Sequence, residues 1–294
     1  MSLLTNPLAT ASQLQLRVSL SSLPADLYET VFIATQCLTQ AAGLLLRLPQ
    51  SVTARANVIL ARYWLIDSPM AHEFSEASAA TVYLVAKLGP MPRSPFDVAN
   101  VYAYLTSSRS PLFGTGEAED STESFYQPDS ESFAFSQRML ALEARILYSL
   151  SFDTHVALPH PLAVTYLQTL DFLSRPKAQV SQRTMQYLNT ALLSPQMLYL
   201  THQPHALATA AIYNAARDLG AKMPACDWWE VLDVDREELG FLVVAMRSLE
   251  GWWRKRKDGL GPLGESMLTR RGVEDEVSRR GLRVDDGDDY EETG

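Results

Sequence analysis

An alanine-rich helical pattern occurs twice in this sequence, and the repeat restricts the fold more than any other feature. The first copy is ATVYLVAKLG at residues 80–89, and the second is ATAAIYNAARDLG at residues 208–220. Each copy has small residues on several faces and a cation, Lys87 or Arg217, near its end. Small side chains let neighbouring helices approach from several sides, as is typical of the central helix of a bundle. The repeat therefore predicts two similar helical modules in tandem.

Helical patterns fill most of the remaining sequence. Apolar residues recur at helical spacing from residue 23 to residue 48 and in most later segments. Ser94-Pro95 indicates a helix start, and Gly89-Pro90 indicates a helix end at which glycine permits a left-handed cap. No alternating run of strand length stands out, and there are only 14 glycines. We therefore expect an all-α protein.

Composition and charge exclude several classes of function. The 294 residues are 47% hydrophobic, enough for one large or two ordinary domains. A net charge of -9 argues against a nucleic-acid footprint, which needs clustered cations. The two cysteines, Cys37 and Cys226, have no metal-binding spacing and favour a reducing compartment. With no convincing signal peptide and no apolar run of roughly 20 residues, we expect a soluble intracellular protein without metal, cofactor or membrane contact.

Three segments differ in composition from the helical regions. Residues 1–22 form a polar N-terminal arm, residues 106–131 form an acidic, Ser- and Gly-rich insertion, and residues 258–294 form an acidic tail expected to be disordered. A short basic run precedes this tail and is interpreted either as a nuclear import signal or as a solvated helix end. It consists of Arg254, Lys255, Arg256 and Lys257.

Spacing alone gives Lys87 an ordinary structural role. A cation in the last turn of a helix interacts favourably with the macrodipole, worth roughly 0.3–1 kcal/mol. Arg217 fits this interpretation equally well. The sequence contains no serine elbow, no Cys/His pattern and no repeated acidic metal motif. We therefore expect a binding protein and not an enzyme.

Several segments, taken together, resemble the cyclins, and among them the transcription-type cyclins and cyclin L most. The first are AGLLLRLPQ at residues 42–50 and the AKLGPMPRSPFDVANVYAYL segment. RMLALEARILYSLSFDTHVALPHPLAVTYLQTL is similar to the end of the first cyclin box and the crossing into the second. ALATAAIYNAARDLGAKMP and the pair Trp228-Trp229 continue the match. The resemblance covers roughly residues 35–256 in one order, and its specificity lies in the joint spacing.

The resemblance implies a fold and a function. The fold would be two tandem five-helix cyclin boxes, residues 23–155 and 156–257, with an N-terminal helix and a disordered tail. The function would be that of a non-catalytic regulatory subunit that forms a heterodimer with a cyclin-dependent protein kinase. Such a pair would act in the nucleus, in RNA polymerase II transcription or RNA processing. The matching kinase-binding residues are Lys87, Leu88, Glu143, Leu147 and Phe152.

One departure from the cyclin pattern keeps another function open. Cyclins like cyclin L usually carry acidic residues after the lysine and its apolar neighbour, whereas this chain has Gly89-Pro90. An orphan cyclin-fold scaffold that does not activate a kinase is therefore the first alternative. A TFIIB-like transcription factor core is the second, although the chain lacks zinc-ribbon ligands and a positive charge. Retained kinase binding would separate a working cyclin from both.

Overall fold

A small-residue helix lies at the centre of the first half of the molecule. The computed structural model describes residues 4–107, 128–173, 178–259 and 267–281. The helices of the first half are α1 (Ala11–Ser21), α2 (Ala25–Leu45), α3 (Gln50–Tyr63), α4 (Phe74–Leu88), α5 (Pro95–Thr106) and α6 (Asp129–Ser149), with a short 3-10 turn at Pro69–Ala71. Helix α4 contacts α2, α3, α5 and α6. Its Ala79, Ala80 and Ala86 are fully buried, so the four neighbours pack closely around it.

The second half repeats this arrangement. Its helices are α7 (Pro159–Thr169), α8 (Ala178–Ala191), α9 (Leu198–Thr201), α10 (Pro204–Asp218), α11 (Trp228–Val231) and α12 (Arg236–Gly259). Helix α10 contains the second copy of the alanine-rich pattern and contacts α7, α8 and α12. Its Ala208, Ala210 and Ala211 are fully buried. The prediction of an all-α fold with two tandem helical modules is confirmed.

Local signals explain where individual helices begin. Ser94 accepts a hydrogen bond from the Asp97 backbone N–H at 3.1 Å, and the Asp97 carboxylate accepts one from the Ser94 N–H at 3.2 Å. This capping box satisfies donors that have no partner inside the helix. Pro95 then occupies the first position of α5, where a missing N–H costs nothing. The predicted helix start at Ser94-Pro95 is confirmed.

The N-terminal arm bridges the two halves of the molecule. Asn6 is 7% exposed, and its side chain pairs with both the N–H and the C=O of Ala157, each at 2.8 Å. The backbone of Asn6 exchanges hydrogen bonds of 3.1 and 3.0 Å with the Gln203 side chain, next to α10. Arg62 of α3 donates to the same Asn6 side-chain oxygen at 3.3 Å. One buried asparagine thus joins the first bundle, the connecting segment and the second bundle.

The structure departs from the expected disorder of the tail at residues 267–281. Helix α13, Arg270–Arg279, buries Val273 and Val277 against the molecule, and the preceding Leu268 is 8% exposed. Arg280 forms an ion pair with Asp26 at the start of α2, at 2.7 Å. The rest of the predicted tail, at 260–266 and 282–294, lies outside the described residues.

Two other predictions meet the structure only in part. Most of the predicted insertion, residues 108–127, lies outside the described part of the chain. The predicted boundary at 155/156 falls between α6 and α7, and the box limits stay a prediction.

Within the described ranges, no helix is long and apolar enough to cross a membrane. The same ranges contain no group of three or more His, Cys, Asp or Glu residues that could hold a metal ion.

Candidate functional site

Lys87 lies in the last turn of α4, where the helix reaches the surface. Its side chain is 45% exposed, and its Nζ lies 5.2 Å from the centre of the Tyr83 ring, one turn earlier. The position fits the macrodipole interpretation, because the helix C-terminus is partly negative. The aromatic face adds a cation–π contact. Both contacts hold the ammonium group in one place at the surface.

Glu143 of α6 forms an ion pair with Lys87. The Glu143 side chain is only 7% exposed, so one partner of this pair is buried and the other faces solvent. Two residues far apart in the sequence, which only the family resemblance singled out together, therefore meet at the junction of α4 and α6. Their predicted role in kinase binding is not tested by this contact and stays a prediction.

The apolar residues assigned by resemblance, on and just after α4 and α6, differ in their exposure. Leu88 is 61% exposed and Phe152 is 60% exposed, whereas Leu147 is partly buried against the core. Tyr148, which the sequence analysis did not identify, is 74% exposed, and its ring meets the Phe152 ring edge-on at 5.4 Å. Its place immediately after Leu147 in α6 could have drawn attention to it. Large uncovered apolar side chains around a charged pair are typical of a protein-binding surface.

The end of α6 fixes the position of Phe152. Ser151 and Phe152 have φ angles of 50° and 60°, in the left-handed region that residues other than glycine seldom occupy. The Phe152 N–H donates to the Leu147 carbonyl at 2.8 Å, and the Ser151 N–H donates to the Tyr148 carbonyl at 3.0 Å. This pair of bonds is a Schellman motif, which closes the helix and turns the chain sharply. The turn directs the Phe152 ring outward beside Tyr148.

Gly89 ends α4 differently from the prediction. Its φ of -93° and ψ of -177° are extended, so the predicted left-handed cap is wrong. A Cβ at this position would lie 3.1 Å from the Val85 carbonyl oxygen and 3.4 Å from a methyl group of Val52 in α3. Glycine therefore lets the end of α4 lie close against α3. The departure from the cyclin pattern at Gly89 has a packing cause.

At the end of α10, the corresponding position in the second bundle, charged side chains of that bundle pair with one another. Asp218, the residue after Arg217, accepts hydrogen bonds from Arg183 at 3.0 Å, Arg247 at 2.7 Å and the Tyr187 hydroxyl at 2.7 Å. Burial raises the pKa of Asp218, but these hydrogen bonds outweigh it and hold the pKa below its usual value. The two alanine-rich helices therefore end in different surroundings: a lysine–glutamate pair lies at the end of α4, and two arginines and a tyrosine surround an aspartate at the end of α10.

The basic run predicted as a nuclear import signal continues α12. Arg254 and Lys255 are exposed, and Arg254 donates to Glu250, one turn earlier, at 2.5 Å. The side chains of Arg256 and Lys257 lie outside the described part of the molecule. The role of the run in nuclear import stays a prediction.

Known proteins resemble this chain in both sequence and fold. No family profile matches it. An uncharacterised cyclin-L1-like protein of Schizosaccharomyces pombe is 31% identical over 212 residues, which cover 71% of this chain and 78% of that protein. Chicken cyclin-L1 is 32% identical over 78% of this chain, and human cyclin-L2 is 29% identical over 95% of it. The chain spans 41% of the chicken protein and 51% of the human protein.

The structural neighbours agree with the sequence relatives. A chain of the yeast RNA Pol II CTD kinase CTDK-1 complex superposes with a TM-score of 0.65, covering 96% of this chain and 92% of its own length, at 15% identity. A chain of the CAK complex of Chaetomium thermophilum superposes with a TM-score of 0.64. The match covers 98% of this chain and 95% of that chain, at 16% identity. These two show a shared fold, and the sequence relatives show the family: this chain belongs to the cyclin L family of cyclins.

Proposed function

We propose that this chain is the regulatory subunit of a heterodimer with a cyclin-dependent serine/threonine protein kinase. The observation that carries the proposal is the Lys87–Glu143 ion pair, with exposed Leu88 directly after Lys87 and exposed Tyr148 and Phe152 at the C-terminal end of α6. In the resemblance to cyclins, Lys87, Leu88, Glu143 and Phe152 bind the kinase. A half-buried charge pair on a surface with uncovered apolar side chains combines the specificity and the apolar area that a stable partner interface needs.

The mechanism is allosteric, and the chain itself performs no chemistry. A kinase of this class has inactive and active arrangements, and a partner that binds the active one more tightly shifts the balance towards it. Glu143 holds Lys87 in place before the kinase arrives, so little side-chain freedom is lost on binding. The Lys87 ammonium has further donors for kinase carbonyl groups, while Leu88 and Phe152 supply apolar contact.

The process is RNA polymerase II transcription or RNA processing, and the site of action is the nucleus. This part of the proposal rests on the names of the relatives, which are cyclins L1 and L2, and of a structural neighbour, which is a kinase complex for the polymerase C-terminal domain. The basic run at residues 254–257, of which Arg254 and Lys255 are exposed, is proposed as the nuclear import signal.

The scaffold alternative loses its main support in the structure. It depended on Gly89-Pro90, and the close approach of Gly89 to Val85 and Val52 offers a packing reason for the glycine. The TFIIB-like alternative would require a basic surface, whereas the chain carries a net charge of -9. Kinase activation is therefore the function that the site supports best.

A charge-swapped variant tests the proposed site without removing its internal ion pair. Lys87→Glu combined with Glu143→Lys keeps opposite charges in contact, so the fold should survive, but it presents the wrong sign to the kinase. We expect affinity purification of the tagged wild-type chain from its own cells to recover one cyclin-dependent kinase. The swapped variant should not recover the kinase, because the free energy of binding should weaken by about 2–5 kcal/mol. Equal recovery with both would remove these two residues from the interface.

A further inference from the structure

A second exposed surface adjoins the Lys87–Glu143 site, at the end of α2 and in the turn between α4 and α5. We call it the rim and define it by Leu44, Leu45, Arg47, Met91 and Arg93. Leu44 is 75% exposed, Leu45 is 47% exposed and Met91 is 38% exposed. Neither the family resemblance nor the comparisons assigned these residues a role. Adjacent exposed leucines at a helix end are costly in water and mark a surface that another molecule covers.

Arg93 holds the two parts of the rim together. Its guanidinium donates to the Leu46 carbonyl at 2.9 Å and approaches the Arg47 carbonyl at 3.5 Å, so a cation caps the C-terminal end of α2. Met91 and Arg93 lie in the turn that begins at Gly89, directly after Leu88. The rim is therefore continuous with the proposed kinase-binding residues, through a turn fixed by hydrogen bonds.

The backbone at the end of α2 presents the leucines in a defined way. Arg47 has a φ of 52°, and its N–H donates to the Leu44 carbonyl at 3.0 Å, while the Leu48 N–H donates to the Gly43 carbonyl at 2.9 Å. This is the same Schellman geometry that positions Phe152 at the end of α6. Two helix ends next to the ion pair thus use the same turn to place apolar side chains at the surface.

The charges of the rim indicate the kind of partner segment that covers it. Arg47, Arg93 and Lys87 are the cations of this surface, and Glu143 already pairs with Lys87. The carboxylate of Asp97 in α5 accepts a hydrogen bond from the Ser94 N–H in the capping box. Within the described part of the chain, Arg47 and Arg93 therefore form no ion pair with a carboxylate, although the whole chain is acidic. A local cationic rim on an acidic protein favours an acidic partner segment.

We propose that the rim is a second contact for the same kinase, and that it receives an acidic segment bearing an apolar side chain. This inference rests on the proposed function and adds to it the chemistry of the kinase segment. The apolar side chain would lie on Leu44 and Met91, and its acidic neighbours would face Arg47 and Arg93. Kinases whose corresponding segment is basic would be rejected by like charge.

Two rim variants and two matched controls test the proposal, with the kinase that co-purifies with the wild-type chain as the probe. Leu44→Ser removes exposed apolar area and Arg47→Glu reverses a rim charge. Val231→Ser and Arg217→Glu make the same changes at exposed positions of the second bundle. All four side chains are exposed, so all variants should fold, which thermal unfolding verifies.

We expect Leu44→Ser to raise the Kd for the kinase about tenfold. Arg47→Glu should slow association about fivefold at low salt, with a smaller effect at high salt because the charges are then screened. Both controls should bind as the wild type does. Unchanged binding by both rim variants, while the Lys87/Glu143 swap abolishes it, would overturn the rim proposal and leave the proposed function standing.

Two further outcomes would also overturn the rim proposal. If neither the wild-type chain nor any variant binds a kinase, the proposed function fails together with it. If Leu44→Ser changes the mass of the isolated chain in light scattering and leaves kinase affinity unchanged, the rim is instead a contact between two copies of this chain.

Discussion

A line of partly buried polar side chains shows how single residues connect the two bundles. Gln50, at the start of α3, donates to Gln40 of α2 at 3.3 Å and to Asn189 of α8 at 3.1 Å. Asn189 is also hydrogen-bonded to the His160 ring at 2.9 Å. These hydrogen bonds hold side chains of the two bundles against each other, so they help to specify how the bundles fit together.

His160 makes this junction sensitive to pH. Burial lowers the pKa of His160, and the hydrogen bond to Asn189 offsets only part of this effect. A histidine with a lowered pKa in the folded state binds a proton more readily in the unfolded state. Protonation at low pH therefore favours unfolding. The free energy of unfolding should therefore be unaffected by this group above its usual pKa of 6.5 and should fall as the pH drops below it. Burial shifts His72 and His202 in the same direction.

Urea unfolding at about pH 7.5 and about pH 5.5 checks this prediction. We expect the wild type to be less stable at the lower pH, and His160→Gln to show a smaller loss because it removes one titrating group. His155→Gln, at an exposed side chain, should retain the pH dependence of the wild type. An equal loss of stability in His160→Gln and in the wild type would contradict the assignment.

At the scale of elements, signals within one segment predict a helix better than contacts between distant segments do. The capping box at Ser94 and the small-residue pattern of α4 can be read from a few neighbouring residues. Helix α13 escaped prediction because it is polar and buries few apolar residues, among them Val273 and Val277. Its stability depends on partners such as Asp26, far away in the sequence. No local pattern reveals such a contact.

A charged cluster stabilises the C-terminal end of helix α13. Glu276 is 8% exposed and accepts hydrogen bonds of 2.7 Å from both Arg279 and Arg280. These hydrogen bonds lower the pKa of Glu276 from 4.5 to about 2. Because the folded pKa is depressed, the stabilisation is complete above pH 4.5 and disappears as the pH falls towards 2.

Amide hydrogen exchange across α13 tests this account. Glu276→Gln at neutral pH should increase exchange of residues 270–279 about tenfold, because two arginines lose their shared carboxylate. Glu274→Gln is the matched control, since Glu274 is 43% exposed and pairs with Arg270 at 3.1 Å. Similar exchange in both variants would show that α13 is held by its apolar residues instead.

At the scale of the whole molecule, the sequence predicted two modules but not the way they meet. The repeat of small residues in α4 and α10 indicated two bundles, and the structure has them. The Asn6 contacts and the Gln50–Asn189–His160 line depend on tertiary packing, which no spacing rule encodes. Only the resemblance to cyclins singled out Lys87 and Glu143 together, and their ion pair was not predicted. Periodicity alone would have left Lys87 as a helix-end cation.

We propose that this two-bundle protein activates a kinase by docking. The most direct measurement is the rate at which the purified kinase, identified by co-purification, phosphorylates a polymerase C-terminal-repeat peptide with and without this chain. We predict an increase in kcat/KM of at least about a hundredfold on adding the wild-type chain, and no increase with the Lys87→Glu/Glu143→Lys variant. Tight binding of the wild-type chain without any increase in rate would contradict the account.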